Sequence, residues 1–189
     1  MRAFIAAALP DEVRGALRAL QQKLALSGAD VKWVEPDHLH VTLKFLGEID
    51  EEQRRGVEAL MARSAADQAP FAAALGGLGG FPSMAAPRVI WAGLGAGQDA
   101  FVQLAERLES GSGRLGLPAS ERPFSAHLTL GRVRSPKGLG PLARELQTMD
   151  WMPPPAWPVD CVTLYQSVLG GRGPRYTVLA ECRLGAASR

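Results

Sequence analysis

The chain has 189 residues, with 21 Lys and Arg against 19 Asp and Glu, 47% hydrophobic residues and 21% charged ones. That length buries a substantial core, and the near-balanced charge and ordinary apolar content exclude a disordered tail or a coiled coil. No window approaches the ~18 consecutive apolar residues of a membrane span, and two cysteines, Cys161 and Cys182, are too few for a disulfide framework or a four-thiolate metal site.

The opening Met1–Pro10 segment is too short for a signal peptide and runs into Asp11 and Glu12, so a cytoplasmic protein is expected. Net charge is only +2, but it is unevenly spread: residues 1–110 carry −3 and residues 111–189 carry +5. A basic half is compatible with a phosphate-bearing ligand without requiring one.

Residues 2–9 form an apolar run closed by Pro10, the pattern of a buried strand. Asp11 and Glu12 open an amphipathic helix, with Val13, Leu17, Leu20 and Leu24 on one face, that stops near Gly28. Val31–Val34 is a short strand, residues 38–46 a longer alternating one, and residues 51–66 a second helix. Phe71–Leu78 and Arg88–Leu94 are strand-like, and a third helix is predicted over about 98–109. Residues 110–123, rich in Gly and Pro, read as a loop, followed by a strand over 125–133 and a short helix over 139–146. A proline-rich connector at 152–158 leads to two final strands, 159–168 and 175–184, joined by a hairpin loop at Gly170–Pro174. This order suits an α+β fold, antiparallel sheets with helices on one face, in one compact unit over residues 1–189.

One internal repeat stands out. His40-Val-Thr-Leu43 recurs as His127-Leu-Thr-Leu130, in a chain with only three histidines. On strands, the period of two sends His40 and Thr42 to one face, and His127 and Thr129 likewise, while the apolar residues anchor each strand behind. If the two strands face each other as symmetric halves, two imidazoles and two hydroxyls line one cleft. Imidazoles near pKa ~6.5 supply one base and one acid at neutral pH. Hydroxyls between them stabilise charge on anionic oxygens. In-line displacement at a phosphodiester needs the base and acid on opposite walls, and it needs no metal. Each copy taken singly is compatible with an ordinary structural histidine and β-forming threonine. His38 shares the parity of His40, which raises a His-x-His metal pair, but no third or fourth ligand is obvious: Glu35 and Asp37 sit in a Pro-containing turn, and neither cysteine is near in sequence. Cys161 and Cys182 read as small buried residues.

The same residues carry a resemblance over nearly the whole chain. Arg2–Pro10, Trp33 through His40-Val-Thr-Leu-Lys-Phe-Leu-Gly-Glu48, Phe81-Pro82, Arg88–Trp91, Arg122-Pro-Phe-Ser-Ala-His-Leu-Thr-Leu130 and Gly173–Leu179 resemble the two-histidine (2H) phosphoesterases. Within them the match is to the bacterial RNA 2′,3′-cyclic phosphodiesterases, also called 2′-5′ RNA ligases. The resemblance implies a bilobal α+β fold of two antiparallel sheets with helices on their outer faces, pseudo-two-fold symmetric around a central cleft. Residues 1–189 would form one such domain of two interleaved lobes, with one motif per lobe (40–43 and 127–130). It implies metal-independent opening of an RNA 2′,3′-cyclic phosphate to a 2′-phosphate. Separately, no cofactor, membrane or obligate protein partner is expected, and a monomer is the expected form. His40 is then the proton donor to the leaving 3′ oxygen, His127 the base that activates water, and Thr42 and Thr129 hold the non-bridging oxygens. The symmetric motif alone leaves acid and base open.

Lys44, placed by alternation on the face of His40 and Thr42, and Arg122 are candidates for a neighbouring phosphate. Arg132, Arg172 and Arg175 are further candidates for the RNA backbone, each also compatible with a solvated surface charge. Trp33 and Phe124 flank the motifs and suit core packing better than base stacking. Two alternatives stay open: a 2H esterase for a small cyclic nucleotide or ADP-ribose cyclic phosphate, and a non-catalytic module that binds RNA ends.

Overall fold

The computed structural model describes residues 1–171 and 173–185. In chain order these form β1 (Arg2–Ala8), α1 (Asp11–Ala25), β2 (Val31–Trp33), a 3-10 turn (Pro36–His38), β3 (His40–Glu48), α2 (Glu51–Ala66), β4 (Phe71–Ala73) and β5 (Leu75–Phe81). They continue with β6 (Val89–Leu94), α3 (Gln98–Ser112), a second 3-10 turn (Gly113–Leu115), β7 (His127–Val133), α4 (Leu139–Thr148), β8 (Trp157–Val159), β9 (Cys161–Gly170) and β10 (Gly173–Arg183).

The helices form where apolar spacing and end chemistry agree. α1 follows Pro10, has Asp11 and Glu12 in its first turn and Lys23 in its last, and buries Val13, Leu17, Leu20 and Leu24. Those charges complement the helix dipole while the three-to-four spacing makes one buried stripe. α2 opens with a capping box: the Asp50 carboxylate accepts from the Gln53 backbone N–H at 2.8 Å, and the Gln53 side chain accepts from the Asp50 N–H at 3.1 Å.

The strands assemble into two four-stranded antiparallel sheets, ordered β10-β9-β1-β3 and β2-β7-β6-β5, plus a two-stranded ladder of β4 and β8. The run β3-β1-β9 in the first sheet has its counterpart in β7-β6-β5 of the second. The α+β architecture of two antiparallel sheets is therefore the one expected. Ile5, Val41 and Leu164 of the first sheet and Ile90, Leu128 and Leu130 of the second join Leu17, Leu20, Met61, Phe101 and Leu104 of the helices in one core. Each such side chain contributes about 1.5–3 kcal/mol by leaving water, so the motif strands are anchored from behind.

Three segments differ from the sequence expectation. The strand expected over 71–78 is broken at Ala74 into β4 and β5, and β4 pairs with Trp157-Pro158-Val159, which joins the end of the expected connector to the first residue of the strand expected from 159. Proline is tolerated there because a two-stranded ladder leaves its outer edge unpaired. α3 runs on to Ser112, through the start of the segment read as a loop. Gly111 marks close helix packing instead of a break: a Cβ there would lie 2.2 Å from Leu60 of α2. His38, expected to lead into a strand, ends the first 3-10 turn, so it and His40 do not share a strand face.

Candidate active site

β3 and β7 pack against each other, and each begins with its motif histidine. Burial alternates identically along both: His40 and Thr42 are half-buried while Val41 and Leu43 are buried, and His127 and Thr129 are half-buried while Leu128 and Leu130 are buried. The two rings are held in the same way. His40 Nδ1 donates to the His38 carbonyl at 2.7 Å, and His127 Nδ1 donates to the Ser125 carbonyl at 2.7 Å. A carbonyl only accepts, so Nδ1 carries the fixed proton and Nε2 is left to take or give the mobile one.

The duplication extends past the four-residue motif. Between Ala6 opposite Thr42 and Ile5 opposite Lys44, β3 holds one extra residue, Leu43. Between Trp91 opposite Thr129 and Ile90 opposite Gly131, β7 holds the extra residue Leu130. A bulge of this kind reverses the facing of the residues that follow it, up to the next irregularity, which in β3 comes at Leu46. Lys44 therefore does not share the face of His40 and Thr42. It points inward, and Phe45 takes the outward place, 64% exposed and with its ring 6.1 Å from Phe4. In β7 the inward residue is Gly131 and the outward one Arg132, which is exposed.

Gln21 of α1 braces the second bulge. Its Nε2 donates to the Leu130 carbonyl at 2.9 Å and to the Val34 carbonyl at 2.8 Å, and the Val34 N–H donates to Leu130 at 2.9 Å. Gln21 is buried. Gln21→Leu should cost about 1–3 kcal/mol, because the Val34 carbonyl loses its partner inside the protein. Urea unfolding measures this, and an unchanged midpoint would contradict the brace.

The two histidines sit in different surroundings. Phe4 stacks on His40 at 4.8 Å and 27°, Tyr176 meets it edge-on at 5.6 Å, and Tyr165 lies 6.5 Å away. Burial among these rings pushes the His40 pKa down to about 4; the bond to the His38 carbonyl opposes that push and the nearby His38 ring adds to it. His127 has Phe81 edge-on at 5.5 Å and Trp91 at 6.4 Å, with Phe81 stacked on Trp91 at 5.1 Å. The indole lies flat over Gly79, where a Cβ would come within 2.1 Å of it. A cavity of about 280 Å³ beside this wall is lined by Leu78, Trp91, Gln98, Ser125 and others.

The remaining candidates separate clearly. Arg122 is exposed on the connection between the second 3-10 turn and β7. Arg175 alternates with Tyr176 on β10 and so leaves the other face of its sheet. Arg132 and Arg2 both act electrostatically on Tyr176, opposing the stronger upward push of burial on its phenol. Arg172 lies outside the described residues. Trp33 and Phe124 pack against the core. His38 rests against Tyr176 at 4.6 Å, and among the described residues no three His, Cys, Asp or Glu side chains gather as a metal site. Cys161 and Cys182 are half-buried free thiols.

A family model described as LigT like Phosphoesterase matches residues 8–91 and 94–176, one stretch around each motif copy. The chain belongs to the LigT-like phosphoesterases. It is accordingly an enzyme. It is 39% identical over 191 residues to an RNA 2′,3′-cyclic phosphodiesterase of Thermus thermophilus, covering 97% of this chain and 90% of the relative. A crystal structure of the Thermus thermophilus protein TT0787 superposes with a TM-score of 0.82 at 37% identity, covering 100% of both chains. E. coli LigT complexed with 3′-AMP gives 0.79 at 30% identity, covering 98% of each.

Sequence reasoning missed the rings around His40 and the outward turn of Phe45 and Arg132. Phe4, Tyr165 and Tyr176 stand on three different strands and meet only when β1, β9 and β10 assemble. The available signal for the other two was the repeat itself, because Phe45 and Arg132 occupy the same place, five residues after each motif histidine.

Proposed function

We propose that the chain opens RNA 2′,3′-cyclic phosphate ends to 2′-phosphomonoesters by a two-histidine acid–base mechanism. The observation that carries this is the pair of imidazoles fixed alike through Nδ1 on neighbouring β3 and β7, each presenting Nε2. Water attacks phosphorus opposite O3′; His127 Nε2 takes the water proton, the P–O3′ bond breaks, and His40 Nε2 gives its proton to O3′. The bond to O2′ persists, so the product is a 2′-phosphate. Thr42 and Thr129 donate hydrogen bonds to the non-bridging oxygens, Arg132 adds positive charge, and Phe45 offers an open ring for a base. The assignment of His40 as donor follows the family resemblance. It requires His40 to gain a proton as the anionic substrate arrives, since burial alone keeps it neutral near pH 7.

A 5′-hydroxyl in the place of water makes a 2′-5′ linkage through the same proton transfers. Because water is far more abundant, ligation is a side reaction. The two free thiols suit the reducing cytoplasm, and among the described residues no helix is long and apolar enough to cross a membrane.

The test uses an oligonucleotide with a 2′,3′-cyclic phosphate terminus, in buffer containing excess chelator. Full activity with accumulation of the 2′-phosphate is expected. Formation of the 3′-phosphate would reverse the orientation, and loss of activity in chelator would remove the metal-free mechanism. A cyclic mononucleotide assayed in parallel separates an RNA-end enzyme from an esterase for small substrates.

A further inference from the structure

Lys44 is deeply buried, with its side chain only 1% exposed, yet it carries a charge. Its Nζ donates to Glu109 Oε2 of α3 at 2.7 Å and to the Pro118 carbonyl at 3.2 Å. Glu109 is occupied on both oxygens: the Ser120 backbone N–H donates to Oε1 at 2.9 Å and the Ser120 hydroxyl to Oε2 at 2.6 Å. Burial raises the Glu109 carboxyl, but the bonds from Lys44 and Ser120 outweigh it and hold the group at about 2.

The ends of this network matter. Lys44 leaves β3 directly after the bulge, two residues beyond Thr42. Pro118 and Ser120 belong to the connection that runs into β7, and Ser125 on that connection supplies the carbonyl holding His127 Nδ1. One buried cation thus joins the strand of His40 and Thr42 to the segment that presents His127. An ion pair with a buried cation and a partly exposed carboxylate is weak as a source of stability, since apolar packing often does as well, and it is better suited to fixing one arrangement among several.

We propose that Lys44 and Glu109 are positioning residues that set His127 relative to His40 and Thr42. The proposal rests on the two-histidine reading and adds that the register between the two catalytic strands is set from outside the site. Neither residue touches substrate in it.

The experiment compares wild type with Lys44→Met, Glu109→Gln and the double variant. Glu109→Gln alone strands a buried lysine charge and is expected to fold poorly; the double variant removes both charges and is expected to keep a near wild-type Tm. In the double variant kcat should fall about tenfold or more, with KM changed much less, because displacement by about 1 Å is enough for such a loss. The imidazole Nδ1–H resonance of His127 in ¹⁵N-histidine-labelled protein should shift or broaden, while that of His40, held by the His38 carbonyl at the end of the preceding 3-10 turn, stays in place. Wild-type kcat in a folded double variant, or an unmoved His127 resonance, would overturn the proposal. The resonance needs no turnover, so it judges the positioning claim even if His127→Ala proves active and the acid–base reading fails.

Discussion

His40→Ala and His127→Ala should each lower kcat/KM by about 10²–10⁴-fold, the range of one general acid or base. Both rings are half-buried at the first residue of a strand whose anchoring comes from Val41, Leu43, Leu128 and Leu130 behind it, so each variant is expected to keep its fold. The two losses should not multiply in the double variant, because proton removal and proton delivery serve one displacement. Thr42→Val and Thr129→Val should each cost less, since the opposite hydroxyl and Arg132 remain. Steady-state kinetics on a cyclic-phosphate oligonucleotide, with circular dichroism as the folding control, decides this. A near wild-type rate for either histidine variant would leave displacement without its acid–base pair.

Much of this site was legible because it is written locally. The alternation in His-x-Thr-Leu fixes which side chains face outward, and its recurrence marks the two strands as equivalent. The helices were legible for the same reason: Val13, Leu17, Leu20 and Leu24 announce a buried stripe within a single segment. What failed depended on partners elsewhere. Alternation places Lys44 beside Thr42, but the bulge at Leu43 is a property of the pairing between β1 and β3, and no rule confined to one strand contains it. Trp157-Pro-Val159 becomes a strand only because Phe71–Ala73 is there to pair with it. Gly111 looks like a helix breaker until Leu60 of another helix fills the space it leaves. The rings around His40 come from β1, β9 and β10, so the environment that sets its protonation is a product of the fold.

That environment makes the protein's stability depend on pH through one residue. An unfolded His40 protonates near the ordinary value of 6.5, while the folded one resists until about 4. Between those values the unfolded state binds the extra proton, so stability is complete above pH ~6.5 and is lost as pH falls towards 4. A difference of this size amounts to roughly 3 kcal/mol at most. His40→Asn, which cannot titrate in that window, should flatten the unfolding free energy between pH 6.5 and 4. Glu109, held at about 2, gives its own decline only below pH ~4.5 in both proteins, so the two contributions separate. Adding a 2′-phosphorylated nucleotide should pull the His40 titration upward, because a phosphate dianion favours the imidazolium, and calorimetry in buffers of different ionisation enthalpy should register proton uptake on binding. If His40 titrates near 6.5 in the free protein, and binding takes up no proton, the aromatic wall does not control the donor and the acid has to be sought in His127.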